Sequence, residues 1–153
     1  MDFTHLFERD LNKLIEEINL YKNENDLWTI KEGISNSAGN LALHIIGNLN
    51  YFVGTALFHT NYLREREKEF SLKDIPRERL VGDIKAISEV IRKTLHKLSD
   101  KDLKKDFPFE MNDKIVSIEN RMVDLLTHLN YHLGQVNYHR RMINGTINYT
   151  YNA

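Results

Sequence analysis

The chain has 153 residues, 41% hydrophobic and 28% charged, with two prolines: enough for one packed domain, hardly for two. Disorder and collagen-like repeats are excluded, and 21 Lys+Arg against 22 Asp+Glu leave a net charge of −1, so no positive field draws a nucleic acid or an anionic membrane. With no cysteine, disulfides, thiolate metal sites and a cysteine nucleophile are excluded as well, and any metal must be held by nitrogen and oxygen.

The amino terminus carries acids among its first residues and lacks the continuous apolar stretch of a secretory signal. No window reaches roughly 18 apolar residues, so no membrane span is predicted and a soluble, cytoplasmic protein is expected. In residues 1–22, Phe3, Phe7, Leu11, Leu14, Ile18 and Tyr21 recur at spacings of three and four, one stripe of an amphipathic helix. Residues 22–37 have no period and read as a loop with Leu27 and Trp28 packed inward, ending on Asn36 and Ser37, good helix N-caps.

The run 38–58 is apolar around most of its circumference, which predicts a second, largely buried helix. Its Gly39, Gly47 and Gly54 each cost about 1 kcal/mol of helix propensity against Ala, so they are expected to admit a close neighbour, either a packed backbone or a ligand. Residues 59–76 form a charged linker that, at roughly 3.3 Å per residue, can run the length of a bundle and can hold a short helix. Start signals at 71–76, with Pro76 near the first turn, lead into a third helix with Leu80, Ile84, Ile87, Ile91, Leu95 and Leu98 on one stripe. Residues 99–114 break that pattern at Pro108, and Phe107 and Phe109 are expected to close one end of the core. Ile118, Met122, Leu125, Leu129, Val136 and Ile143 mark a fourth helix, stopped at Asn144-Gly145 with Arg140 and Arg141 in its last turn. Residues 146–153 read as a short extended piece or a frayed end. Nothing alternates at period two, so the predicted fold is all-α: a four-helix bundle forming a single domain over 1–153.

Seven histidines are the unusual chemistry of this chain. His128 and His132 stand four residues apart on the fourth helix, roughly 40° and about 6 Å from each other, on the side of Leu125 and Leu129. His44 lies beside Leu41 and Ile45 on the second helix. An i, i+4 pair with one ligand from a facing helix can fill three adjacent positions around a metal and leave the others open. Equally, histidines stacked on a core face can be satisfied by Asn48, Gln135, Thr127 or buried water, and spacing alone leaves both readings standing. His139 sits too far along the helix to share an ion with His132 and is read as lining a channel. His5, His59 and His96 are expected to face solvent. Glu-x-x-His pairs on two helices and the HExxH motif are absent, which excludes a carboxylate-bridged di-iron centre and a metalloprotease site.

The segment NLALHIIGNLNYFVG of the second helix, taken with HLNYHLGQVNYHRRM of the fourth, resembles the DinB-like superfamily of metal-binding four-helix bundles, and within it a branch without assigned function. The linker YLREREKEFSLKDIPRERL is similar to the arginine-rich connection of that branch, and the resemblance spans residues 1–145. It implies an up-down-down-up bundle with a long crossover between helices two and three, a metal site of His44, His128 and His132, and homodimers. Characterised members include thiol-dependent S-transferases and a mycothiol-dependent maleylpyruvate isomerase, in which a metal activates the sulfur of a low-molecular-weight thiol. A divalent metal (Zn or Ni first, Fe or Mn next) and a low-molecular-weight thiol are therefore the expected cofactors.

Around such a site, Asp124 lies one turn before His128 and reads either as the carboxylate that orients its ring or as an ordinary surface acid. Asn48 and Gln135, amides on mostly apolar faces, are candidates to orient a ligand or contact substrate, and Tyr51 and Tyr131 frame the pocket or simply fill the core. The run from Arg64 to Glu69 reads as a solvated face, with the alternative that Arg64 or Arg66 reaches over the bundle mouth to bind a carboxylate bidentately. The expected function is a divalent-metal-binding, metal-dependent transferase acting on a small-molecule substrate with a thiol. Alternatives are a hydrolase using metal-bound hydroxide, a metal- or ligand-binding protein without turnover, and a purely structural bundle, because fold does not fix function.

Overall fold

A computed structural model describes residues 2–110 and 114–145, and its regular elements among them are all helical. Helix α1, Phe3–Asn19, starts on Asp2, whose carboxylate accepts from the His5 backbone N–H at 3.0 Å, and its stripe of Phe3, Phe7, Leu11, Leu14 and Ile18 is buried. A 3-10 turn, Glu24–Trp28, then buries Leu27 and Trp28 as the sequence predicts. Helix α2, Ala38–Leu49, begins on Ser37, whose Oγ accepts from the Asn40 N–H. Gly39 lies flat against Trp28: a Cβ there would stand 2.6 Å from the indole ring, so this glycine serves close packing.

The continuous second helix expected to run to residue 58 changes pitch at Asn50 and continues as a π-helical segment, Asn50–Thr55. Backbone bonds there reach five residues back, Ala56 N–H to the Tyr51 carbonyl at 3.2 Å and Phe58 N–H to Val53 at 3.0 Å. The Asn50 side chain donates to the Ile46 carbonyl at 2.9 Å, competing with the α-helical ladder at the point of change. The charged linker holds a short helix, α3, Arg66–Ser71. Helix α4, Arg77–Lys97, follows Pro76 and buries Leu80, Ile84, Ile87 and Ile91. A one-turn helix, α5, Asp100–Leu103, closed by a capping box between Ser99 and Asp102, falls where the sequence reading has no helix. Phe107 is buried and its N–H donates to the Val116 carbonyl at 2.8 Å, pinning the loop over one end of the core as expected. Helix α6, Ile118–Asn144, starts on Ser117 and stops at Gly145, whose φ of 77° suits glycine. The predicted extended or frayed tail, 146–153, lies outside the described residues.

Helix α1 packs on α4 and α6, and α2 packs on α3, α4 and α6. Polar cross-links reveal direction. Asn130 bonds Asp10 and Asn137 bonds Glu17, both 120 residues apart, so α1 and α6 run parallel. His44 meets His128, whereas Phe52, in the π-helical continuation of α2, meets Arg121, earlier on α6, so these two helices run antiparallel. Arg77, at the start of α4, donates to the Tyr21 carbonyl beyond the end of α1 at 2.8 Å, which makes that pair antiparallel too. No helix among the described residues is long and apolar enough to cross a membrane.

Candidate metal centre

The antiparallel contact of α2 with α6 brings His44 against the i, i+4 pair His128 and His132. The Nε2 atoms of His44 and His132 each lie 3.1 Å from the Nε2 of His128, and one ligand nitrogen from each ring falls within 4.8 Å of the others. The rings meet edge to face, at 78° to 89°. Two nitrogens held at about 2.1 Å from one ion stand about 3.0–3.4 Å apart for bond angles of about 90–110°. The three imidazoles are therefore close enough to bind one metal ion.

Donor and acceptor accounting makes the same point chemically. Nδ1 of His44 faces the Glu69 carboxylate at 2.8 Å and Nδ1 of His132 faces the Gln135 carbonyl oxygen at 2.7 Å, acceptors both, so each Nδ1 carries the hydrogen. A neutral imidazole has only one N–H, which leaves the Nε2 of both rings as bare lone pairs pointing at His128. Since Nε2 of His128 offers at most one hydrogen, the two 3.1 Å contacts cannot both be hydrogen bonds. Burial pushes the His128 pKa down to about 4, and any positive charge on the neighbouring His132, His44 or Arg64 lowers it further. Burial also lowers His132. A proton on His128 or His132 is thereby disfavoured, whereas a divalent cation would satisfy the crowded lone pairs. Three neutral nitrogen donors fit such an ion and match the pattern of a centre with open positions.

Glu69 anchors this arrangement. It is 5% exposed, and besides His44 it accepts from Arg64, through Nε at 2.7 Å and Nη2 at 3.0 Å. Burial raises its pKa, but the bonds from His44 and Arg64 outweigh burial and hold the carboxyl below the usual range. A chain Arg64–Glu69–His44 thus fixes the ring and its tautomer, the arrangement commonly found behind histidine ligands of metals. The sequence reading places Glu69 on a solvated face, with Arg64 either on that face or binding a carboxylate bidentately; instead α3 folds back onto α2 and buries Glu69, and the partly buried Arg64 grips the Glu69 carboxylate itself. A sequence signal did exist in Gly47, a gap one turn beyond His44, which Glu69 fills.

The other candidates divide. Gln135 orients His132, and Asn48, 9% exposed, lies one turn from His44 and lines the cavity beside the histidines. Asp124 does not orient His128: it is mostly exposed and accepts from Arg121 at 3.2 Å, one turn back on the same helix. His139 lines a shallow pocket with Gln135, but its ring is locked in the core, with Nδ1 accepting from the Tyr21 hydroxyl at 2.7 Å and Nε2 donating to the Thr29 carbonyl at 2.8 Å. Tyr131 is exposed and its ring flanks His132 at 5.2 Å. Tyr51 packs on Phe52 and Phe109, with Arg64 above its ring, so it backs two residues that line the cavity without lining it itself. Arg66 is exposed at the cavity over Phe70. His5, His59 and His96 face solvent as expected.

No curated protein matches the sequence significantly. Over residues 5–150, nearly its whole length, the sequence matches the model of a family described as "Protein of unknown function (DUF1572)". The chain belongs to the DUF1572 family.

Proposed function

We propose that this protein is a DinB-like metalloprotein that holds a divalent ion on His44, His128 and His132 and acts as a transferase between a low-molecular-weight thiol and a small electrophilic substrate. The observation that carries the reading is the pair of bare Nε2 lone pairs, from His44 and His132, aimed at the Nε2 of His128. An ion bound there would lower the pKa of a coordinated thiol or water and so supply a nucleophile at neutral pH. Glu69 and Gln135 hold the two outer rings in the tautomer that presents Nε2, Arg64 keeps Glu69 ionised, and Phe52 and Leu125 make the neighbouring wall apolar.

The parallel α1–α6 pair with antiparallel α2–α6 and α1–α4 pairs supports an up-down-down-up four-helix bundle, with the α3 segment as part of its crossover. Tyr131, Tyr138 and Met142, exposed at helical spacing on α6, support a homodimer. Elemental analysis of protein purified without chelator tests the centre, and a panel of thiols and electrophiles assayed on wild type and His132→Ala tests the activity. Stoichiometric metal and thiol-dependent turnover, both lost in the variant, are expected. Metal without turnover on any thiol reduces the protein to a binding function, and ester cleavage without thiol makes it a hydrolase. Protein with no bound ion overturns the reading.

A further inference from the structure

Beside the three imidazoles lies a cavity of about 480 Å³, lined by His44, His128, Asn48, Arg66, Arg121 and Asp124, with Phe52 and Leu125 as its apolar wall. Arg64 also reaches this cavity, but Glu69 binds it at both nitrogens. Arg121 is paired with Asp124. Arg66 differs: its guanidinium sits 5.5 Å from the Phe70 ring, and among the described residues no carboxylate pairs with it. A second feature is independent of charge. Asn48 is 9% exposed, and its Oδ1 is buried without a hydrogen-bond partner, a costly arrangement unless a ligand supplies the donor.

We infer that this cavity binds a small monocarboxylate whose carboxylate is taken by Arg66 and whose N–H or O–H donates to Oδ1 of Asn48. One guanidinium lacking a carboxylate calls for one negative charge, and its planar fork matches a carboxylate in two parallel bonds. The ligand's remaining atoms then lie against His44 and His128. The inference deepens the proposed function and rests on it for what happens to the bound acid, while the binding itself needs only the cavity.

Calorimetric titration of N-acetylglycine, which has both a carboxylate and an N–H, tests it on zinc-loaded and on as-isolated protein, with metal content measured on the same samples. The neutral N-acetylglycinamide and N-acetylsarcosine, which lacks the N–H, are the comparison ligands, and inorganic phosphate is the rival anion. Binding of N-acetylglycine is expected to exceed that of the amide by about tenfold or more, and Arg66→Gln, at an exposed position, is expected to erase that preference. Asn48→Ala is expected to weaken N-acetylglycine and leave N-acetylsarcosine unchanged. Equal binding of acid and amide, an unaffected Arg66→Gln, or phosphate binding as tightly as the acid overturns the site. Protein that holds metal but does not prefer the acid loses this inference alone. Protein that selects the acid through Arg66 yet holds no metal keeps it and loses the metal centre.

Discussion

Gly47 leaves the space that the Glu69 carboxylate occupies. A Cβ built on residue 47 overlaps Oε1 of Glu69 and stands 2.8 Å from its Cδ. The glycine lies in the middle of a buried helix, where it costs stability, and what it permits is a buried carboxylate bonded to His44 at 2.8 Å. A backbone concession on α2 therefore sets the orientation of a candidate metal ligand on the same helix, through a side chain from α3.

Gly47→Ala is accordingly expected to improve helix propensity by about 1 kcal/mol and still to weaken zinc binding by about 10–100-fold, by displacing Glu69 from His44. Competition with a chromogenic chelator measures the affinity. Adding Glu69→Ala to the variant should cost little more, because the contact is already gone. Wild-type affinity in Gly47→Ala would show that the Glu69–His44 bond is dispensable.

The bond from His132 to Gln135 offers a gentler test. Gln135 is exposed and touches the candidate centre through one carbonyl oxygen at 2.7 Å, so its substitution leaves the core alone. Gln135→Glu keeps an acceptor and should preserve or tighten zinc binding, whereas Gln135→Leu removes it and should weaken binding by about tenfold or more. Equal affinities for the two variants would mean that the His132 ring is held by its helix alone.

The long helices were legible because their apolar residues repeat at helical spacing, and their ends because Ser37, Pro76 and Gly145 are residue types with known positional roles. The pairing of His128 with His132 was legible for the same reason, as a spacing on one helix. Glu69 was not: its partner His44 lies 25 residues earlier, and a local window shows only a run of charges. His139 shares an azimuth with His128, yet what it touches, Tyr21 and Thr29, comes from more than 100 residues away. Asp124 stayed open between orienting His128 and being a surface acid, because proximity along a helix does not say which neighbour wins, and here Arg121 on the other side takes it. The π-helical segment after Leu49 has no periodic signature at all.

His139 gives the fold a pH dependence of definite sign. Burial holds its pKa below the ordinary value, only partly offset by its bond to the Thr29 carbonyl and by Asp26. The folded protein then binds fewer protons than the unfolded chain, in which histidine titrates near about 6.5. This contribution to stability is complete above about pH 6.5 and is lost as the pH falls below it, by at most about 1.4 kcal/mol per pH unit for one proton. Urea midpoints measured at several pH values between 5 and 8 should show a shallower acid-side slope for His139→Phe than for wild type. The variant should also be less stable at pH 8, because it leaves the buried Tyr21 hydroxyl only its longer bond to the Val136 carbonyl at 3.4 Å and the Thr29 carbonyl without the His139 donor. Identical slopes would show that His139 titrates alike in both states.

Arg140 and Glu17 join α6 to α1 by a bond of 2.6 Å between side chains that are 1% and 2% exposed, and Asn137 donates to the other Glu17 oxygen at 2.7 Å. Removing the cation alone leaves a buried carboxylate held by one amide, so Arg140→Met is expected to cost about 3–5 kcal/mol. The pair is imperfectly satisfied, since Nη1 of Arg140 is buried without a hydrogen-bond partner. Attraction across the bond therefore has to offset desolvation of both ions and of that unpaired nitrogen, and the net contribution of the intact pair should be small. The double variant Arg140→Met/Glu17→Leu is then expected to recover most of the stability lost in the single one, measured by urea unfolding. If the double variant is as unstable as Arg140→Met, the ion pair contributes stability of its own between these helices rather than merely avoiding an unpaired charge.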